Sequence, residues 1–521
     1  MQASASGPSW AIATPHHDAT AAGAAAFERG GNAVDAALAA ATAIAVTAPS
    51  SCGVGGDLFA LVQRPDGEAL CVSSSGRSPM AADPEAVARD HAVMPARGPV
   101  PITVPGAVAG WRALHDLGAL LPWPDAFARA IELATDGMRI VPGLAETLAD
   151  EDAPFASDPG LSSIFFADGE PMAAGATVAQ PALAATLAAI ADAGPDALYR
   201  GDVGRAYVRG LQAVGCPITT EDLRAHRAIV LPPIRAAYRE LHVSVAPPNS
   251  QGFVLLQTLS LLERLGVEPD PLGGGAGMLA RIFAATSADR DRHLADPDRM
   301  TVHPSTLLDD GHLAGLADDL RADHAGTAHG GKPDGDTIAL VTADAEGFAV
   351  SLIQSLFWGF GSGICEPATG IVAHNRGACF TLEPGHPNAF APGVRPAHTL
   401  TPVLIHDARG LAAVAGTMGG FAQPQINAQT LFHSLGGDAP ADAVAAPRWI
   451  AERNADAPGR VITAETSVPA AARAALEASG FALANVPDLS SEVGHAQLIR
   501  TRAGGFDVGS DPRSDGGAAA G

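Results

Sequence analysis

The chain has 521 residues and sets 32 Lys and Arg against 56 Asp and Glu, a formal charge of −24. Hydrophobic residues make up 47% and charged residues 17%, enough apolar material for a large core and no case for global disorder. The acidic balance excludes nucleic acid as the main partner, and a single lysine, Lys332, leaves one position for Schiff-base or P-loop lysine chemistry.

The opening residues lack a basic stretch followed by an apolar run, so no secretory signal is read. Five scattered cysteines without a C-x-x-C pair suit a reducing compartment, and a cytoplasmic protein is expected. Asp18 to Arg29 predicts a helix stopped by Gly30-Gly31, and Asn32 then caps a second from Ala33 to about Val46. The second is short, Ala-dominated and preceded by charge: a buried helix, not a membrane span. Leu58 to Gln63 and Ala69 to Ser73 read as strands around a Pro65-Asp66-Gly67 turn.

Two helical stretches are predicted within Val104 to Gly137, two more within Pro181 to Val214, and another over Val254 to Leu265. The polar, Gly- and His-rich tract from Asp318 to Asp336 reads as a linker. Strands follow it. Ile338 to Thr342 and Phe348 to Ser355 form one predicted hairpin, Pro402 to Ile405 and Leu411 to Ala415 another. Helices over Pro424 to Leu435 and Pro469 to Ser479, with strands near Phe481 and Gln497, complete a pattern of stacked sheets under helices.

Several motifs carry less than they suggest. Gly326 to Lys332 fits a phosphate-loop pattern, but Pro333 follows where a Ser or Thr is needed. The glycines at 53–56 and 359–363 lack the rest of a dinucleotide fingerprint and read as tight turns or close backbone approaches. His16-His17, His293, His324 and His329 show no ligand spacing, so neither a metal nor an organic cofactor is expected.

Thr337 is different, because it stands where the polar tract meets a buried strand. Cut before it, the chain would give Thr337 a free α-amine with a pKa of about 7.7–8.0 beside its own hydroxyl, nucleophile and base in one residue. Downstream, Gly416-Thr-Met-Gly419-Gly420 joins a strand to a helix. Its N–H groups suit an oxyanion, and a plain strand-to-helix turn explains it equally well.

Ordered blocks over nearly the whole chain resemble the γ-glutamyltransferase family of N-terminal nucleophile hydrolases. They include Gly30-Gly-Asn-Ala-Val-Asp35, Ser51-Cys-Gly-Val-Gly-Gly56-Asp57, Pro247-Pro-Asn-Ser-Gln-Gly252, Asp289-Arg290, Thr337, Arg395-Pro396, Gly419-Gly420 and Asp511-Pro-Arg513. The resemblance implies an α+β fold, a four-layer αββα sandwich built jointly by two subunits of one precursor, 1–336 and 337–521. It implies cleavage between Asp336 and Thr337, with Thr337 as nucleophile and amine base and Ser355 as supporting hydroxyl. Gly419 and Gly420 match the oxyanion hole, and Arg77 the arginine that grips a substrate carboxylate.

The departures are informative. Glutamate-specific members hold the substrate α-ammonium with acceptors at positions that are Phe357, Arg376 and Cys379 here. His398 and Thr399 replace paired serines, and Ile338 replaces a second threonine. This pattern is more similar to the oxamate-amidohydrolase branch, whose substrates carry a carboxylate and no α-ammonium. Arg77 and Arg376 suit such an anion, His398 can add a hydrogen bond, and Arg376 is alternatively a structural ion-pair partner. The expected partners are a small-molecule carboxylate amide and the two subunits themselves, with no membrane; a dimer of αβ units is one possible assembly. A γ-glutamyl hydrolase or transpeptidase, and an uncleaved binding protein, are the alternatives.

Overall fold

The computed structural model describes residues 2–150, 155–322, 336–453 and 460–521. Fourteen strands make two seven-stranded antiparallel sheets. In chain order they are β1 (Ser4–Gly7), β2 (Trp10–Thr14), β3 (Asp57–Gln63), β4 (Ala69–Ser74), β5 (Ile229–Leu231), β6 (Ile234–Tyr238) and β7 (Leu241–Val245). The rest are β8 (Asp336–Asp344), β9 (Ala349–Phe357), β10 (Val403–Asp407), β11 (Gly410–Met418), β12 (His495–Arg502), β13 (Gly505–Ser510) and β14 (Gly517–Ala520). One sheet runs β14-β2-β8-β9-β3-β4-β5, the other β1-β13-β12-β11-β10-β7-β6. Each takes strands from both sides of Thr337.

The layers follow from alternation along the strands. In β8, Ala339, Val341 and Ala343 join Phe59, Leu404, Val414 and Ile499 in an apolar seam between the sheets. The intervening Ile338 and Leu340 face away, into a core with helices α1 (His17–Glu28) and α2 (Ala33–Thr47). The other sheet turns Val243, Ile405 and Leu498 toward α3 (Phe253–Leu265), α4 (Ala276–His293) and α5 (Gln423–Leu435). The architecture is therefore α/β/β/α, as expected. Burial of β8 and β9 on both faces explains their continuous apolar runs.

Local signals hold where chemistry dictates them. Asn32 accepts from the N–H groups of Val34 and Asp35 while Asp35 accepts from Asn32 N–H, a reciprocal cap that fixes the start of α2. The linker reading needs correction at its start. A helix, Asp310–Arg321, runs four residues into that tract, held by buried Leu320 and an Asp318–Arg321 pair one turn apart. Residues 323–335, with the phosphate-loop pattern, His324 and His329, lie outside the described residues. No helix among those described is long and apolar enough to cross a membrane.

Candidate active site

The pairing of β8 with β9 slips where the two strands begin and end. Asp336 faces Phe357 and Ile338 faces Gln354, so Thr337 alone spans Ser355 and Leu356, a bulge that re-aims its side chain. Thr337 Oγ1 lies 2.8 Å from Ser355 Oγ, both buried. Ser355 Oγ donates to the Asp336 carbonyl at 2.9 Å and accepts the Phe357 N–H at 2.8 Å. A serine has one proton, and the carbonyl takes it, so Thr337 is the donor to Ser355. Ser355 thus joins the threonine hydroxyl to the carbonyl of the peptide bond before it. Ser51 donates to the Asp336 carboxyl, whose pKa burial raises.

Glycine makes this packing possible. A Cβ on Gly56 would stand 2.6 Å from the Ser355 carbonyl oxygen, so the cluster at 53–56 is the close approach its composition suggests. Gly419 (φ 143°) and Gly420 (φ 52°) follow β11 and lead into α5, a backbone path only glycine takes freely. Gln251 Nε2 donates to the carbonyls of Gly420 (3.0 Å) and Thr399 (2.8 Å), and its Oε1 accepts from Arg290 at 3.1 Å. One buried amide therefore ties the glycine turn to the Arg395–Leu400 segment.

On the neighbouring strand Asp57 stands directly opposite Ser355. It accepts from Gly76 N–H at 3.2 Å, and His398 Nε2 lies 3.1 Å from its Oδ2. Burial pushes the Asp57 carboxyl up to about 7, against the opposing pull of Arg376 and two backbone N–H groups. Burial also drives His398 far down and His374, 3.7 Å from Asp57, to about 3, so both imidazoles are neutral at pH 7. His398 Nε2 is thereby engaged with Asp57.

The three departures in the ammonium pocket come together. Arg376 sits with its guanidinium carbon 4.1 Å from the centroid of the Phe357 ring. Its Nη1 donates to Thr399 Oγ1 at 3.0 Å and lies 3.7 Å from Cys379 Sγ. Phe357 adopts φ 83°, a region where Asn is far more at ease than a bulky ring. Arg77, in contrast, donates to Asp296 (3.0 Å) and the Gly393 carbonyl (2.8 Å) and reaches toward Asp298. Arg376 forms no ion pair among the described residues, which removes the structural ion-pair reading.

Asp57, Gln251 and His374 are the site residues that motif reading missed. Asp57 and Gln251 end or sit inside recognisable blocks, and only their partners more than 140 positions away reveal what they do. His16, His17 and Asp18 do lie close enough to share a cation. His16 Nδ1 already accepts the Asp18 N–H, so that cluster reads first as a helix cap.

Two seven-stranded sheets stacked between helical layers are the fold of the N-terminal nucleophile hydrolases, and Thr337 is the second residue of an inner strand. The model of the Gamma-glutamyltranspeptidase family matches residues 19–521, and the chain belongs to that family. It is similar to the oxamate amidohydrolase proenzyme of Klebsiella pneumoniae, 37% identical over 97% of both chains. It also resembles the glutathione hydrolase-like YwrD proenzyme of Bacillus subtilis, 33% identical over 99% of both. Among solved structures, cephalosporin acylase from Bacillus halodurans superimposes with a TM-score of 0.91 at 32% identity, covering 100% of this chain and 97% of that one. The chain is an amide hydrolase of this family.

Proposed function

We propose that the chain is a self-processing threonine amidohydrolase whose subunits are 1–336 and 337–521, and that it hydrolyses a small carboxylate-bearing amide, oxamate foremost. One observation carries the reading: the Ser355 hydroxyl bridges Thr337 Oγ1 and the Asp336 carbonyl. In the precursor, Thr337 Oγ1 attacks the Asp336 carbonyl carbon while its proton passes to Ser355 and the Ser355 proton passes to the carbonyl oxygen. The C–N bond then breaks with proton return to nitrogen, and water hydrolyses the ester. A carboxylate on Asp336 and a free amine on Thr337 result.

In the mature enzyme that amine takes the proton from Thr337 Oγ1 as it attacks the substrate amide. The N–H groups of Gly419 and Gly420 receive the oxyanion, the amine product leaves with the proton, and water releases the acyl group. Similarity to the oxamate amidohydrolase, together with the loss of ammonium acceptors at Phe357, Arg376 and Cys379, supports the substrate class. A γ-glutamyl hydrolase is the second reading, favoured by the glutathione hydrolase-like relative. Oxamate and γ-glutamyl-p-nitroanilide assayed side by side separate the two. Ser355→Ala is expected to slow self-cleavage by about 10²-fold or more. Cleavage at the wild-type rate would remove the hydroxyl relay.

A further inference from the structure

Arg376 carries an inference that rests on the hydrolase reading and goes beyond it. Its side chain is completely buried, yet two of its three nitrogens, Nε and Nη2, meet no acceptor among the described residues. Those two form the edge of a guanidinium that grips a carboxylate with parallel N–H···O bonds. Nη1 is occupied by Thr399 and Cys379, and the Phe357 ring covers one face, so the free edge is held in a fixed plane. Leaving buried, charged donors unpaired costs folding free energy and does nothing for the fold in return.

The nearby carboxylates do not meet that edge. Asp57 influences Arg376 through its charge, but its oxygens serve Gly76 and His398. The other candidate anchor is already engaged, because Arg77 spends its fork on Asp296, Asp298 and the Gly393 carbonyl. Thr399, which holds Arg376, shares the Gln251 amide with Gly420, so anchor and oxyanion turn belong to one hydrogen-bonded frame.

We propose that the Nε/Nη2 edge of Arg376, rather than Arg77, anchors the substrate carboxylate and makes the site select mono-amides of short dicarboxylic acids without an α-ammonium. Hydrolysis of such an amide yields ammonia or an amine and a dicarboxylate, so the dicarboxylates themselves are probes that need no turnover. Oxalate, malonate and succinate would be titrated calorimetrically into the wild type, Arg376→Met, Arg376→Lys and Arg77→Gln. Self-cleavage and the melting temperature would be recorded for each.

The expected result is that Arg376→Met still cuts itself, melts close to or above the wild type, and binds the preferred dicarboxylate at least about tenfold more weakly. Arg376→Lys, which keeps the charge and loses the fork, should recover only part of that affinity, and Arg77→Gln should cost less than Arg376→Met. Three results would overturn the proposal: no dicarboxylate binding to the wild type, unchanged binding by Arg376→Met, or a larger loss in Arg77→Gln. Should Arg376→Met fail to fold, undiminished binding by Arg376→Lys would overturn it too. A wild type that never cuts itself would count against the hydrolase reading, while the titration on the uncut chain still decides the role of Arg376.

Discussion

Arg513 and Arg376 are both arginines taken out of water, and the fold treats them in opposite ways. Arg513 grips Glu465 with Nε (2.8 Å) and Nη2 (2.6 Å), while Nη1 donates to Asp511 at 3.0 Å. The carbonyls of Val444 and Ala446 take what remains, and Arg448 completes the square on the other Asp511 oxygen. Two cations meet two carboxylates, and every Arg513 nitrogen is used. At Arg376 a single oxygen, from Thr399, serves one nitrogen of three. Burial depresses both guanidiniums; at Arg513 the hydrogen bonds and charges of Glu465 and Asp511 outweigh it and the net direction is up. At Arg376 burial outweighs Cys379 and Asp57, and the direction is down. Burial alone does not tell a structural charge from a binding one. Satisfaction does.

The largest effect expected from this contrast is on stability. Arg513→Met leaves Glu465 and part of Asp511 without their partner and should cost about 3–5 kcal/mol in urea unfolding. Arg376→Met removes unpaired donors and should stay within about 1 kcal/mol of the wild type or exceed it. Equal losses at the two positions would erase the distinction. Specificity comes next. Phe357→Asn with Cys379→Asp restores acceptors and relieves the strained ring, and should move the kcat/KM ratio of γ-glutamyl-p-nitroanilide over oxamate upward by about tenfold. Unchanged selectivity would sink this account of the pocket.

The smallest effect belongs to Asp57. Its folded pKa of about 7 lies above the ordinary 3.8, so the folded state binds the extra proton between those values. That contribution to stability is therefore lost as pH rises from about 4 to about 7 and is constant above. The melting temperature of Asp57→Asn relative to the wild type should shift in favour of the variant over that window. A difference that stays flat with pH would place the Asp57 carboxyl at its ordinary value.

Much of this was legible in the sequence because it is written locally. The Asn32 cap, the turn at 65–67 and the two apolar hairpins place α2, β3, β4 and β8–β11 within a few residues, since caps, turns and alternation act over short spans. Thr337 and Ser355 were legible as a strand start and a strand residue of a recognisable pattern. What could not be read is long-range pairing: Asp57 with His398, or Gln251 with both Thr399 and Gly420. The linker was drawn too long at its start because three charged residues hide a final helical turn whose one apolar side chain, Leu320, is buried. The free edge of Arg376 is the extreme case, because nothing in a sequence says which atoms lack a partner.

The measurement closest to the central claim is the intact mass of the purified protein under denaturing conditions, alongside Thr337→Ala. The account predicts two fragments meeting at Asp336 and Thr337 in the wild type and one chain in the variant. A wild type that remains a single chain after prolonged incubation would deny Thr337 its free amine and contradict the mechanism.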